Sequence, residues 1–345
     1  NMEEGDIFEV ALVRGLNAIY WNDAQKTDYW IFKRYSQKNK GLQYFSVDDE
    51  TWEIARQMEW TPEHEAILME EIRRRYDPAS RADSRLLQQG KQMKDRETIW
   101  QQLELDPGKK TAVVFSHITW DTSFLYGQDL FNDYEDWLVQ TTRAACDNPR
   151  LNWIIKLHPA NLTKFKAWGM TGEYSEVTAI RNAIGELPEH VKLLYPETDI
   201  NTFSLFALTD YCLTVRGTIG IEMALFGIPV FTAGTGRYSG RGFTIDSTTR
   251  GEYLDRLAHL HEYGPLSPEQ VELAKKHAYW LFMKRPVRFE LASKVLPLNR
   301  LQRAGHPLET NYIFHFRSLD DLAHDPGLKR FAEWVLEEQS PDFYF

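Results

Sequence analysis

Hydrophobic positions along this chain change their spacing near residue 108. Before it, apolar residues are sparse and mostly helix-spaced; after it, compact apolar runs alternate with amphipathic stretches. Phe8 and Leu12 share one helical face that Gly15 is placed to end, and short strands are expected over 18–21 and 30–35. Residues 50–100 read as a charged helical connector. In it, acids over 63–71 precede Arg73, Arg74 and Arg75, an order that suits the helix dipole. Asp106-Pro107-Gly108 has the composition of a turn. Beyond it the pattern predicts strands over 111–115, 153–157, 191–194, 211–215 and 229–232. Helices are predicted between them, near 134–146, 176–184, 200–207 and 219–226. Strands that are apolar on both faces and alternate with helices imply a parallel sheet covered on both sides.

The expected fold is therefore α/β. One complete, doubly wound Rossmann-like domain spans 109–284, and a partial N-terminal α/β domain with its connector spans 2–108. A tail over 285–345, helical at 318–322 and 327–338, carries Tyr312, Phe314, Phe316, Phe331 and Trp334 and is expected to pack back on the N-terminal part.

Composition narrows the function classes. With 345 residues, 43% of them hydrophobic, the chain can bury a large core. Its longest apolar stretches fall well short of the roughly 20 residues that span a bilayer, and no basic stretch leads into an apolar block as in a secretory signal. A cytoplasmic location is expected. Cys146 and Cys212 sit in a helical and a strand pattern, so both read as small buried hydrophobes in a reducing compartment. A net charge of −10 opposes long-range attraction to nucleic acid, and Lys275-Lys276 and Lys284-Arg285 are only small basic spots. Aromatics at 13% suit sugar stacking but more often fill cores.

In open α/β sheets ligands gather beyond the carboxyl ends of the strands, so the chemistry is sought there. Four segments qualify: Ser116-His117-Ile118-Thr119-Trp120-Asp121, Lys156-Leu157-His158-Pro159, Arg216-Gly217-Thr218-Ile219-Gly220-Ile221-Glu222, and 234–244 with Arg237, Tyr238 and Arg241. Gly217 permits a sharp strand-to-helix turn, Thr218 is placed to cap the helix, and Gly220 lets a ligand approach its first turn: an anion seat. Glu222 lies on an otherwise apolar helix, where a carboxylate needs hydrogen bonds; a ribose diol or a partner elsewhere in the fold would supply them. His158, at a strand end halted by Pro159, either donates to a phosphate or assists its departure as an acid; the plain alternative is a satisfied loop histidine. Lys156 and Arg237 either neutralise a diphosphate or are solvated or structural. No serine-hydrolase elbow, zinc motif or dinucleotide fingerprint is present, nor an Asp-x-Asp triplet to hold a metal against a diphosphate. No metal and no cofactor is expected, and charge must be neutralised by helix dipoles and basic side chains.

Taken together, Lys156-Leu-His158-Pro159, then Arg216-Gly-Thr218-Ile-Gly-Ile-Glu222-Met-Ala-Leu-Phe-Gly227-Ile-Pro229-Val, then the glycine-rich loop with Tyr238 resemble the capsule polysaccharide biosynthesis family, which includes β-Kdo transferases. The likeness covers roughly 111–244. It implies a GT-B fold, two facing Rossmann-like domains with the donor nucleotide on the C-terminal one. It also implies that His158 and Arg216-Gly217-Thr218 contact the donor phosphate and Glu222 the ribose. Ser116, Lys156, Pro159, Gly220 and Tyr238 complete the expected nucleotide-sugar site. The expected activity is that of a hexosyl- or Kdo-type glycosyltransferase moving a sugar from a nucleotide-sugar donor to a capsule or surface glycan or glycolipid, with peripheral association at the inner membrane.

The chain departs from that pattern at its start. About a hundred residues precede Lys109, fewer than an acceptor domain of ordinary size needs. Glu3-Glu4-Gly5 resembles the acidic motif that supplies the general base in related bacterial sialyltransferases, which would make Glu4 catalytic beside His158. The chain therefore reads as truncated on its acceptor side. Two other readings stay open: a related nucleotide-sugar enzyme, such as a UDP-sugar 2-epimerase or polyol-phosphate transferase, and a non-catalytic nucleotide-binding remnant.

Overall fold

The computed structural model describes residues 5–80, 87–119, 127–167, 169–294 and 312–345. It divides into two compact units. One holds the described residues up to Arg75, Ser80, and those from Lys276 onward; the other holds Tyr76–Ala79 with Leu87–Lys275.

The first unit begins with α1 (Gly5–Val13), β1 (Ala18–Asp23) and β2 (Trp30–Tyr35), followed by α2 (Asp49–Gln57) and α3 (Pro62–Tyr76). Strands β1 and β2 pair antiparallel, Ala18 opposite Tyr35, and every residue of β2 is buried. Asp48 caps α2 by accepting from the Glu50 amide, satisfying a donor left over at the helix start.

The second unit contains α4 (Arg96–Gln102), β3 (Thr111–Phe115), α5 (Tyr134–Cys146), β4 (Asn152–Lys156), α6 (Ala160–Ala167), α7 (Ser175–Ile184), β5 (Val191–Leu194), a 3-10 turn (Thr202–Ala207), β6 (Tyr211–Thr214), α8 (Ile219–Ala224), β7 (Val230–Thr232), β8 (Ile245–Asp246), α9 (Arg250–Ala258) and α10 (Pro268–Tyr279). Its six strands form one parallel sheet in the order β5-β4-β3-β6-β7-β8. Alternate residues explain the two covered faces: Ala112, Val114, Trp153, Ile155 and Leu213 join Trp137, Val177, Ile180, Tyr253 and Leu257 of α5, α7 and α9 in one core, whereas Val113, Ile154 and Cys212 are buried on the other side. Buried polar tips in this core are paired, Trp137 Nε1 to the Tyr253 hydroxyl at 3.1 Å and Trp153 Nε1 to the Asn148 carbonyl at 3.0 Å.

The chain then returns to the first unit through a π-helical turn (Trp280–Lys284), β9 (Ala292–Lys294), β10 (Tyr312–Phe314), α11 (Leu319–His324) and α12 (Pro326–Glu337). Trp30 bridges to Val287, and Phe32, Val287, Trp334 and Phe343 share a core. At its centre Asp342 is paired with Lys33 at 2.6 Å and Arg285 at 2.9 Å, all three with no exposed surface. The π-turn, β8, β9, β10, α6, α9 and α10 were not anticipated from the pattern, and the segment expected as a helix over 200–207 is the 3-10 turn. The remaining predicted elements form with ends shifted by at most a few residues.

Candidate functional site

The strand order reverses at one place. From β3 the chain winds outward to β4 and β5, and from β6 it winds the other way to β7 and β8, so the switch point lies between β3 and β6, the place where open α/β sheets generally hold ligands. The sequence puts Ser116-His117 after β3, His158 after β4 and Val215-Arg216-Gly217 after β6, side by side at the carboxyl edge.

The turn after β6 is tied down through its backbone. The amides of Val215 and Arg216 donate to Nε2 of His117 at 3.3 and 3.4 Å, and the Gly217 amide donates to Thr214 Oγ1 at 3.3 Å. The His117 ring stacks on Tyr134 at 4.4 Å with planes 12° apart and meets the edge of Trp137. The expected anion seat is thereby changed: three amides of the turn already donate to His117 and Thr214.

The His117 imidazole is held well below its usual range by burial first and then by the charges of His158, Arg216 and Arg237, which come from three strand ends. Burial, then Arg237, lowers Arg216 to about 10. Arg216 also forms an ion pair with Asp129, a residue the sequence pattern did not single out. Asp129 is brought there by pairing of 128–130 with 233–235, including Leu130 N to Ala233 O and Thr235 N to Gln128 O, with Gly127 at φ +76° packed against Thr235. His158 precedes the unpredicted helix α6, and its Nδ1 accepts from the Ala160 amide at 3.2 Å. In the neutral ring that bond leaves the proton on Nε2, the donor form a phosphate oxygen needs. Pro159 forms the turn into α6.

Three expectations at α8 and its surroundings are corrected, and Glu222 gains a partner. Thr218 makes no capping bond, because its backbone is already helical (φ −57°, ψ −25°). The space beside Gly220 belongs to Tyr238, whose hydroxyl occupies the position of a Cβ, so no ligand approaches there. Tyr238 is fully buried and donates to the Gly217 carbonyl at 2.9 Å, which makes it a support of the turn. Glu222, 3% exposed, accepts from the Tyr76 hydroxyl, so a partner within the fold supplies one of the bonds its carboxylate needs.

Of the other expected residues, Ser116 is 4% exposed and its hydroxyl has no hydrogen-bond partner among the described residues. Lys156, also 4% exposed, is lowered to about 7 by burial and then by Lys91, whose own ammonium donates to the carbonyls of Pro196 and Thr198. Among the described residues no acidic group offsets either effect on Lys156. Glu4, Trp120 and Asp121 lie outside the described residues. Among the described residues no cluster of His, Cys, Asp or Glu is arranged to hold a metal ion, and no helix is long and apolar enough to cross a membrane. A separate cleft of about 710 Å³, lined by Arg143, Arg150 and His259 among others, opens at the opposite edge, where the loop before β4 begins. It lacks the strand-end groups described above.

Fold and site together define an α/β protein with basic side chains at the strand ends beside the switch point of its sheet. Residues 73–259, more than half of the chain, match the family described as capsule polysaccharide biosynthesis protein, and the chain belongs to that family. Among solved structures it is similar to the β-Kdo 2,4 transferase of KpsC from Thermosulfurimonas dismutans, with 16% identity, 82% of this chain and 77% of that one covered, and a TM-score of 0.49. The β-Kdo 2,7 transferase of the same KpsC gives 14% identity, coverages of 80% and 72%, and a TM-score of 0.45. A UDP-GlcNAc 2-epimerase from Neisseria meningitidis bound to UDP-GlcNAc gives 18%, 53% and 44%, and 0.33. No curated protein sequence matches the chain.

Proposed function

We propose that this protein is a capsule-family glycosyltransferase that transfers a sugar, with Kdo the case suggested by the sequence resemblance, from a nucleotide-sugar donor to a surface glycan or glycolipid. The observation that supports this most is the position of His158 and Arg216 at the ends of the two strands flanking β3 at the sheet's switch point, with His117 bonded to the turn that carries Arg216. Family membership supplies the chemical context. In this reading Arg216 and Arg237 neutralise the donor phosphate, a task for planar cations that bind oxygen pairs. His158 donates Nε2–H to the phosphate as it leaves. Ser116 offers an otherwise unused hydroxyl in the same crevice. The Arg216–Asp129 pair keeps the guanidinium oriented before ligand arrives and must share it afterwards.

A thermal-shift screen with CMP, CDP, UDP and GDP tests the reading, since a ligand bound only by the native state raises the melting temperature by mass action. At about a hundred times the dissociation constant the gain is ~2.7 kcal/mol, a shift of a few degrees for a chain of this size. His158→Ala and Arg216→Gln should remove most of that shift. Arg216→Gln should also lower the ligand-free melting temperature, because it leaves Asp129 without its cation. A parental response in both variants contradicts the site. Sugar transfer to a glycan acceptor, followed by release of the nucleotide, separates an enzyme from a binding protein.

A further inference from the structure

We propose that His117 is a positioning residue: its neutral Nε2 gathers the amides of Val215 and Arg216 and the hydroxyl of Thr214, and so fixes the turn from which Arg216 meets the phosphate of a nucleotide. The inference rests on the reading above for the ligand, but its structural half stands on the ligand-free fold.

The hydrogens can be assigned by elimination. Two backbone N–H groups point at Nε2, and an N–H cannot accept from either, so Nε2 carries the lone pair and Nδ1 the proton. Thr214 Oγ1 lies 3.2 Å from Nε2 and accepts from the Gly217 amide, which leaves its own hydrogen directed at the imidazole. Three donors thus share one lone pair, which accounts for distances of 3.2 to 3.4 Å, all on the long side. Stacking on Tyr134 and the edge contact with Trp137 fix the ring plane. The surroundings oppose a charged ring: it is buried and stacked on Tyr134, the charges of His158, Arg216 and Arg237 act against a further cation, and Arg216 is balanced by Asp129. A lone pair engaged by backbone donors is unavailable for proton transfer, so His117 holds the turn and takes no proton itself.

The arrangement joins the two loops that diverge at the switch point. Without the acceptor, Val215 and Arg216 amides lose their partner in a largely buried crevice, and the turn is released. His117→Phe keeps a ring for Tyr134 but removes the acceptor; His117→Gln restores an acceptor oxygen without a ring.

The test combines amide hydrogen exchange, ring nitrogen shifts and nucleotide affinity on the full chain. In the parent, ¹⁵N shifts should report an unprotonated Nε2 and a protonated Nδ1 at pH 7; a protonated Nε2 would overturn the proposal without any variant. His117→Phe should speed exchange at Val215 and Arg216 at least tenfold while Val113 and Val114 in β3 keep their protection, and His117→Gln should recover part of the loss. Equal exchange in parent and His117→Phe overturns the proposal. For whichever of CMP, CDP, UDP and GDP the parent binds, the dissociation constant should rise at least tenfold in His117→Phe and less in His117→Gln. An unchanged constant in His117→Phe removes the link to binding. A parent that binds none of the four defeats the nucleotide reading instead, and the exchange comparison still decides the role of His117 in the turn.

Discussion

The phenol of Tyr76 donates to the carboxylate of Glu222, so the acid on α8 is satisfied by a residue of its own unit. A buried carboxylate on an apolar helix is costly to leave short of donors, and the sequence alone does not tell a ligand donor from a protein donor.

Tyr76→Phe removes that donor and keeps the ring among Phe203 and Phe206. The expected loss is about 1–3 kcal/mol of stability by urea unfolding, with nucleotide affinity unchanged. A drop in affinity at unchanged stability would return Glu222 to the ribose.

Lys156 gives a prediction with a sign. Burial and Lys91 lower it from 10.5 to about 7, so the charged form is disfavoured in the fold and the penalty is fully present below pH 7. Between pH 7 and the unfolded value the unfolded chain binds the extra proton, and stability contributed at this site rises with pH. Lys156→Met should therefore stabilise the ligand-free protein more at pH 6 than at pH 9, by a difference on the order of a few kcal/mol in unfolding free energy. An equal effect at both pH values would mean that the ammonium is solvated or paired. If Lys156 also serves an anion, the same variant weakens nucleotide binding at pH 6.

Asp342 behaves in the opposite sense. Burial pushes its carboxyl up, but Arg285 and Lys33 together outweigh burial and hold it below the usual range. Its contribution is present above the unfolded carboxyl value and is lost as pH falls through the lowered one. Asp342→Asn breaks a fully buried ion pair network and should cost ~3–5 kcal/mol. It should also flatten the acid limb of the unfolding profile of the first unit. An acid limb that is unchanged in the variant would place the sensitivity in other carboxylates.

What the sequence made legible follows from range. The pattern predicts the 111–115 strand and the 134–146 helix with the observed ends, because a compact apolar run and a strong amphipathic period are local signals. The rim carrying His158 and Arg216 was also legible, since strand ends in a parallel sheet share an edge. Contacts between distant segments were not. Asp129 reaches Arg216 only through pairing of 128–130 with 233–235, Tyr238 fills the space at Gly220 from a loop eighteen residues on, and Asp342 meets Lys33 across 309 residues. His117 lay in a segment recognised as polar, but its role depends on a stack with Tyr134 that no spacing rule reveals.

Hydrogen exchange of the full chain with and without saturating nucleotide tests the central claim most directly. New protection is expected to be confined to four strand-end segments, around Ser116-His117, His158 to Asn161, Val215 to Thr218 and Gly236 to Tyr238. Protection focused instead on the cleft of Arg143, Arg150 and His259, or a melting shift with no protection at the switch point, would contradict it.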